Sequence, residues 1–273
     1  MNNPLALSER SESKGPIGVF DSGVGGLSVL REIRRELPAE DLLYVADTAN
    51  APYGDRDAAF IRERALAIVA RLTDARVKAV VVACNTATGL AVDALRERYD
   101  LPIVAIEPAV KPAALQTRSG VIGVLATTQT LASERFSKLV ATHAAGVTVL
   151  TQPSPGLVDC VEAGDLSSDR TRMLVARYVG PIVARGADSI VLGCTHFPFL
   201  RPVIQATAGP SVTIIDPAVA VAREVRRRLE AAGLLAPDDH PGTARIWTTG
   251  PPEKTREVVA ALWGAPLDVS LLN

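Results

Sequence analysis

The chain has 273 residues, is 48% hydrophobic and 22% charged, and carries a formal net charge of −1. That length suits two modest domains with a proper core, and the near balance of charge gives no reason to expect nucleic acid or a membrane surface as a partner. No stretch approaches the ~20 apolar residues of a membrane helix, and three cysteines without a CxxC pair point to reduced thiols in the cytoplasm.

Residues 1–14 are polar and mixed in charge, lack the apolar segment of a signal peptide, and read as a loose tail. Beyond them, short apolar and β-branched runs alternate with helical patterns. Strands are predicted at 17–20, 42–46, 79–83, 103–105, 121–125, 147–150, 189–192, 213–215 and 244–248. Most are continuous apolar runs, as expected of strands covered on both faces. Helices are predicted at 27–37, 60–73, 86–99, 131–145, 170–184 and 219–232. Such alternation predicts an α/β protein built on parallel sheets.

The chain also repeats itself weakly. Gly15-Pro16-Ile17-Gly18-Val19-Phe20 resembles Gly120-Val121-Ile122-Gly123-Val124-Leu125. Val80-Val81-Val82-Ala83-Cys84-Asn85-Thr86 resembles Ile190-Val191-Leu192-Gly193-Cys194-Thr195-His196, displaced by nearly the same length of chain. Two related α/β halves follow, each with a cysteine just past a buried strand. The carboxyl ends of parallel strands line the ligand crevice, so halves that face each other would bring both thiols into one cleft.

Taken in order, most of the candidate residues follow predicted strands. Asp21-Ser22-Gly23-Val24-Gly25-Gly26 runs from strand to helix, with glycines that allow close backbone approach to a ligand. A dinucleotide loop would need a third glycine where Ser28 stands, and Asp21 would repel a pyrophosphate. Asp21 suits an ammonium group or a thiol proton instead. In Asp47-Thr48-Ala49-Asn50-Ala51-Pro52-Tyr53-Gly54, a Pro/Gly turn, the backbone N–H groups of Tyr53 and Gly54 could hold a carboxylate.

Cys84 ends a strand where a helix begins, so the helix N-terminus should lower its pKa from about 8.5. Asn85, Thr86 and Thr88 behind it are capping residues and also short donors for a carboxylate. Thr127 and Thr130 occupy the place in the second half that Ser22 holds in the first, and are capping residues by default. Cys160 falls in an apolar helical pattern and reads as core, whereas Glu162 beside it reads as a surface residue. Cys194 and His196 share the next strand-end loop, where an imidazole near neutrality could exchange a proton with the thiol. Arg226 to Arg228 read as a solvated face. No metal cluster is apparent, and no lysine stands at a strand's carboxyl end to favour a Schiff-base cofactor.

Two thiols in one cleft suit a reaction that takes a proton from one face of a carbon and delivers one to the other. A thiolate and a thiol then exchange roles with the handedness of the substrate. Without a cofactor as electron sink, donors around the α-carboxylate must stabilise the carbanion.

The segments Phe20-Asp21-Ser22-Gly23-Val24-Gly25-Gly26-Leu27, Pro52-Tyr53-Gly54, Ala83-Cys84-Asn85-Thr86-Ala87 and Gly193-Cys194-Thr195-His196 resemble the glutamate racemases of the aspartate/glutamate racemase superfamily. The resemblance runs from Ile17 to about Trp263. It implies cofactor-independent interconversion of L- and D-glutamate, with Cys84 and Cys194 as the acid/base pair, assisted by Asp21 and His196 respectively. It implies substrate binding by Asp21, Ser22, Pro52, Tyr53, Gly54, Asn85, Thr86, Thr195 and His196, with Thr127, Thr130 and Glu162 at the edge of the pocket. It also implies two flavodoxin-like domains, residues 15–107 with 216–273 and residues 108–215, a homodimer, and supply of D-glutamate for peptidoglycan. The rival expectations are a racemase of aspartate or another amino acid, and a non-catalytic anion-binding protein on the same scaffold.

Overall fold

The computed structural model describes residues 15–272, so the expectation of a loose tail at 1–14 lies outside the described residues. Among the described residues ten strands form two sheets, and every strand pair is parallel. The first sheet contains β1 (Ile17–Asp21), β2 (Leu42–Ala46), β3 (Ala79–Val82), β4 (Ile103–Ala105), β9 (Ala244–Thr248) and β10 (Asp268–Leu271), in the order β10-β9-β2-β1-β3-β4. The second contains β5 (Val121–Ala126), β6 (Thr148–Pro153), β7 (Ser189–Gly193) and β8 (Thr213–Ile215), in the order β6-β5-β7-β8.

The order β2-β1-β3-β4 in the first sheet matches β6-β5-β7-β8 in the second. The weak sequence repeat is therefore a repeat of topology. β1 corresponds to β5, and β3, which precedes Cys84, corresponds to β7, which precedes Cys194. The C-terminal segment returns to the first sheet, where β9 pairs with β2 and β10 with β9.

Eleven α-helices are present among the described residues: α1 (Leu27–Glu36), α2 (Ala58–Asp74), α3 (Asn85–Arg98), α4 (Val110–Gln116), α5 (Thr128–Ala132), α6 (Glu134–His143), α7 (Leu157–Glu162), α8 (Asp169–Ala184), α9 (Arg201–Ala208), α10 (Ala218–Ala232) and α11 (Pro252–Trp263). None is long and apolar enough to cross a membrane. The single helix expected at 131–145 is instead two. Ser133 is extended (φ −70°, ψ 142°) and its Oγ accepts from Phe136 N–H, a capping role that serine takes readily. The sequence reading also passed over α11 and β10. The first opens on prolines, and the second is a four-residue edge strand that buries only Val269.

The strand pleat divides the core. Ile17 and Val19 of β1 and Ala79 and Val81 of β3 join a cluster that continues into the second half through Leu125, Ile190, Leu192 and Cys194. Phe20, Val80, Val82 and Cys84 face the opposite side of the first sheet. This follows from the two-residue period of a strand. Cys160 is buried, as its apolar helical context indicates. On α10, Arg227 and Arg228 pair with Glu224 at the surface, whereas Arg226 reaches Glu36 of α1.

At the amino end of β7, Asp188 receives Thr117 Oγ1 at 2.7 Å and the backbone N–H groups of Arg118 and Ser119 at 2.6 and 2.8 Å. These donors hold its carboxyl down to about 2 despite the opposing effect of desolvation. A depressed carboxylate stabilises the fold above its unfolded value near 4, and the stabilisation disappears as pH falls toward 2. Asp188→Asn should therefore cost about 1–2 kcal/mol at pH 7. Thermal unfolding should show the gap between variant and wild type closing between pH 4 and pH 2.

Candidate active site

The strand ends of the two sheets meet around a narrow, nearly closed cavity of about 10 Å³. It is lined by Ser22, Pro52, Tyr53, Gly54, Cys84, Asn85, Thr86, Thr127, Val158, Gly193, Cys194, Thr195 and His196. Both thiols thus open into one crevice. Larger spaces exist, including a groove of about 170 Å³ beside Glu162 and another of about 640 Å³ beside α10. Neither is lined by a thiol, so chemistry and not volume singles out the narrow cavity.

Cys84 caps α3, with its Sγ accepting from Ala87 N–H at 3.5 Å. The thiol can donate to Ser22 Oγ at 3.8 Å. The helix end was expected to lower its pKa, but the structure reverses that expectation. Burial pushes the Cys84 thiol up, the negative charge of Asp21 adds to this, and the Ala87 N–H only partly opposes it. A single helix terminus contributes about 0.3–2 kcal/mol, less than the loss of water around a thiolate. Cys84 is accordingly a thiol at neutral pH.

Asp21 lies beneath the cavity floor, fully buried. Its Oδ2 accepts from Gly26 N–H at 2.8 Å and from Thr195 Oγ1 of the second half at 3.2 Å. Its Oδ1 has no partner. Burial raises the Asp21 pKa, while the neighbouring His196 charge and Gly26 N–H lower it. Such a carboxyl is suited to taking up a proton from Cys84, whose thiol lies within its reach.

Cys194 follows β7 and faces His196 Nδ1 at 3.6 Å. The other imidazole nitrogen, Nε2, donates to Glu162 Oε1 at 2.6 Å. That bond assigns the Nε2 proton and leaves Nδ1 to exchange a proton with Cys194. Desolvation works against the imidazolium, but the sulfur and the Glu162 carboxylate outweigh it and hold His196 well above its ordinary value. The two cysteines therefore have different surroundings: an acid beside Cys84 and a positively charged imidazole beside Cys194.

Glu162 is the residue whose surface reading fails. It lies one turn after Val158 on α7, and the two share the face turned to the cleft. Its Oε1 also accepts from Val24 N–H at 2.7 Å, which joins α7 to the glycine loop of the first half. That loop admits no side chain where the halves meet. A Cβ on Gly23 would lie 1.9 Å from Glu162 Oε1, and one on Gly25 would lie 2.3 Å from His196 Nδ1. The close approach inferred from the glycines is real, and it is made by the side chains of the other half.

The hydroxyl residues also bridge the halves. Thr86 Oγ1 lies 2.8 Å from Thr127 Oγ1 and 3.2 Å from Thr130 Oγ1. Thr127 lines the cavity and caps α5, whereas Thr130 stands behind it. Asn85 is buried with neither amide atom partnered. Unpaired polar atoms at such a depth cost about 1–3 kcal/mol each, and a ligand in the cavity carrying both a donor and an acceptor would satisfy Asn85. Tyr53 donates its hydroxyl to Asp47 Oδ2 at 2.5 Å, so that group is already engaged, and Tyr53 and Gly54 both line the cavity. Asp47 in turn receives Arg64, Asn50 and Thr249, which pins the turn.

Val158 and Gly193 line the cavity without having been singled out in the sequence. Gly193 could have been found as the residue preceding Cys194. For Val158 no sequence signal distinguishes the face of α7 that meets the cleft from the face that meets the core. Among the described residues no cluster of His, Cys, Asp and Glu could hold a metal ion.

The family model described as Asp/Glu/hydantoin racemase matches residues 17–225. The glutamate racemase of Stutzerimonas stutzeri is 52% identical over 255 residues, covering 93% of this chain and 96% of its own length. Among solved structures, a glutamate racemase isoform from Bacillus anthracis superposes with a TM-score of 0.86 at 32% identity, covering 96% of this chain and 98% of the other. The glutamate racemase of Francisella tularensis in complex with D-glutamate gives a TM-score of 0.84 at 28% identity, with 96% and 98% covered.

The Glu162–His196 pair sets a measurable property. A histidine raised in the folded state stabilises fully below its unfolded value of about 6.5, and that contribution is lost as pH rises through the folded value. Glu162→Gln should move the His196 titration to lower pH in ¹⁵N-histidine NMR spectra. An unchanged titration would show that the carboxylate does not hold the imidazolium.

Proposed function

The chain belongs to the Asp/Glu/hydantoin racemase family, and on that premise we propose that it interconverts L- and D-glutamate by proton transfer between two thiols. The observation that carries the reading is the pair of cysteines at topologically equivalent strand ends, both lining one narrow cavity. The relatives named above are glutamate racemases, and one of the solved structures holds D-glutamate.

In the proposed mechanism Cys84 and Cys194 stand on opposite faces of the α-carbon. For one enantiomer the Cys194 proton resides on His196 Nδ1, and the Cys194 thiolate removes the α-proton. The Cys84 thiol then delivers its proton to the other face. For the opposite enantiomer Cys84 first passes its proton to Asp21 and acts as the base, and Cys194 is the acid. Burial makes these proton positions matter, because a low-dielectric cleft strengthens every charge interaction.

The substrate carboxylates meet neutral donors. Ser22, Asn85, Thr86 and Thr195 supply side chains, the Pro52-Tyr53-Gly54 turn supplies backbone N–H groups, and Thr127 and Thr130 support Thr86. His196 is the sole basic side chain lining the cavity among the described residues. A charged lysine or arginine there would bind ground state and carbanion alike. Short dipoles fixed around the carboxylate instead stabilise charge as it develops. A site with its own thiol bases and fixed donors works without cofactor or metal.

The same reading makes residues 15–107 with 216–273 one domain and residues 108–215 the other, with the reaction at their junction. It places the enzyme in the cytoplasm, where its free cysteines stay reduced, as a homodimer that supplies D-glutamate for peptidoglycan.

Racemisation in deuterium oxide without added cofactor should introduce solvent deuterium at the α-carbon from either enantiomer. Cys84→Ala and Cys194→Ala should each lower kcat by a factor of about 10²–10⁴. Full activity in both variants, or none in the wild type, would refute the proposal. Faster turnover of aspartate than of glutamate would reassign the substrate.

A further inference from the structure

Tyr44 of β2 is fully buried among apolar residues of the first half, with no place in the cavity lining. Its hydroxyl donates to Gly23 O at 2.5 Å. Gly23 O and Val24 N–H belong to one peptide group, and the N–H end donates to Glu162 Oε1 at 2.7 Å. The same oxygen receives His196 Nε2 at 2.6 Å, and His196 Nδ1 faces Cys194 Sγ at 3.6 Å. A continuous hydrogen-bonded chain therefore runs from the first-half core to the second-half thiol.

We propose that Tyr44 is a positioning residue for Cys194, acting across the two halves through the Gly23–Val24 peptide, Glu162 and His196. The proposal rests on the two-thiol reading above for its catalytic meaning, although the wiring itself does not.

The peptide group is rigid and planar, so fixing its carbonyl fixes the direction of its N–H. Two glycines flank Val24, at 23 and 25, and their backbone is permissive. The loop's own hydrogen bonds, from Leu27 N–H to Val24 O and from Gly26 N–H to Asp21 Oδ2, tie the neighbouring peptides, but neither engages the Gly23 carbonyl or the Val24 N–H, and a side chain at 23 or 25 is barred by the approach of Glu162 and His196. Tyr44 supplies the missing constraint from below. Its ring also packs under Gly26, where an added Cβ would lie 2.8 Å from the hydroxyl oxygen. Burial and the charges of Asp21, Glu162 and Cys84 keep the phenol un-ionised and hence a donor.

Glu162 needs such an anchor. Its side chain is 21% exposed and could otherwise turn toward solvent. The groups that bear on His196 charge are Glu162, Cys194 and, at longer range, Asp21. Of these, Glu162 is the one hydrogen-bonded to the peptide that Tyr44 fixes, so loss of the hydroxyl should act on His196 chiefly through that carboxylate.

Tyr44→Phe keeps the ring and removes the donor. In ¹⁵N-histidine spectra of the full-length protein, His196 should titrate at lower pH in this variant than in the wild type. In a Glu162→Gln background the same substitution should leave the titration where Glu162→Gln alone put it. kcat should fall about 3- to 10-fold in Tyr44→Phe, and that loss should be smaller in the Glu162→Gln background. A purely structural role would lower thermal stability without moving the His196 titration, and that result would overturn the proposal. So would shifts that add independently of Glu162. If Tyr44→Phe does not fold, Val24→Pro, which removes the N–H while leaving Tyr44 in place, must move the His196 titration in the same direction or the proposal fails. A shifted titration in a protein without racemase activity would leave the wiring standing and refute the function instead.

Discussion

Two thiols can serve one carbon only if the ends of two separate sheets are pressed against each other, and a loop almost without side chains makes that contact possible. Glu162 and His196 approach the backbone at Gly23 and Gly25 more closely than any Cβ would allow. Thr195 reaches Asp21, Ser28 Oγ reaches Thr195 O, and Thr86 reaches Thr127 and Thr130. These polar contacts lie above a shared apolar cluster that continues from β1 and β3 into β7. The cluster is non-directional and brings the halves together, whereas the hydrogen bonds determine how their strand ends are aligned.

Burial is what makes the proton positions in this cleft differ from those in water. Cys84 has a helix terminus behind it, yet desolvation and Asp21 keep it a thiol. His196 is equally buried, yet a carboxylate on one side and a sulfur on the other keep it charged. The deciding difference is partnership. Buried charge persists where an opposite charge or several donors compensate for lost water. The same rule accounts for Lys78 against Glu40, and for Asp47 among Arg64, Tyr53, Asn50 and Thr249. The amide of Asn85 and the Oδ1 of Asp21 are buried without such compensation, and of the two only Asn85 lines the cavity.

Unequal surroundings for the two cysteines are compatible with a symmetric task. The halves share a strand order, so the thiols occupy equivalent positions, but in the proposed mechanism each side has its own proton partner. The loop after β1 provides Asp21 for one side. The loop after β7 provides His196 for the other, and α7 provides the carboxylate that steers it.

Much of this could be read from the residues. Continuous β-branched runs specify buried parallel strands, because only a strand covered on both faces is apolar throughout. Their carboxyl ends then place Asp21, Ser22, Cys84, Asn85, Thr86, Cys194, Thr195 and His196 at a crevice, and a repeated strand–cysteine pattern implies two such crevice walls. Local chemistry did not reveal that Ser133 divides a helix, that Glu162 faces inward, or that Cys84 is held as a thiol. Nor did it show that Tyr44, on a strand that reads as core, braces the loop above it. Each of these depends on which groups from distant parts of the chain come within a few ångströms and on how much water they exclude. Spacing along the sequence determines the strands and the cleft. Hydrogen-bond direction and desolvation are properties of the packed structure, and they exist only once the two halves have met.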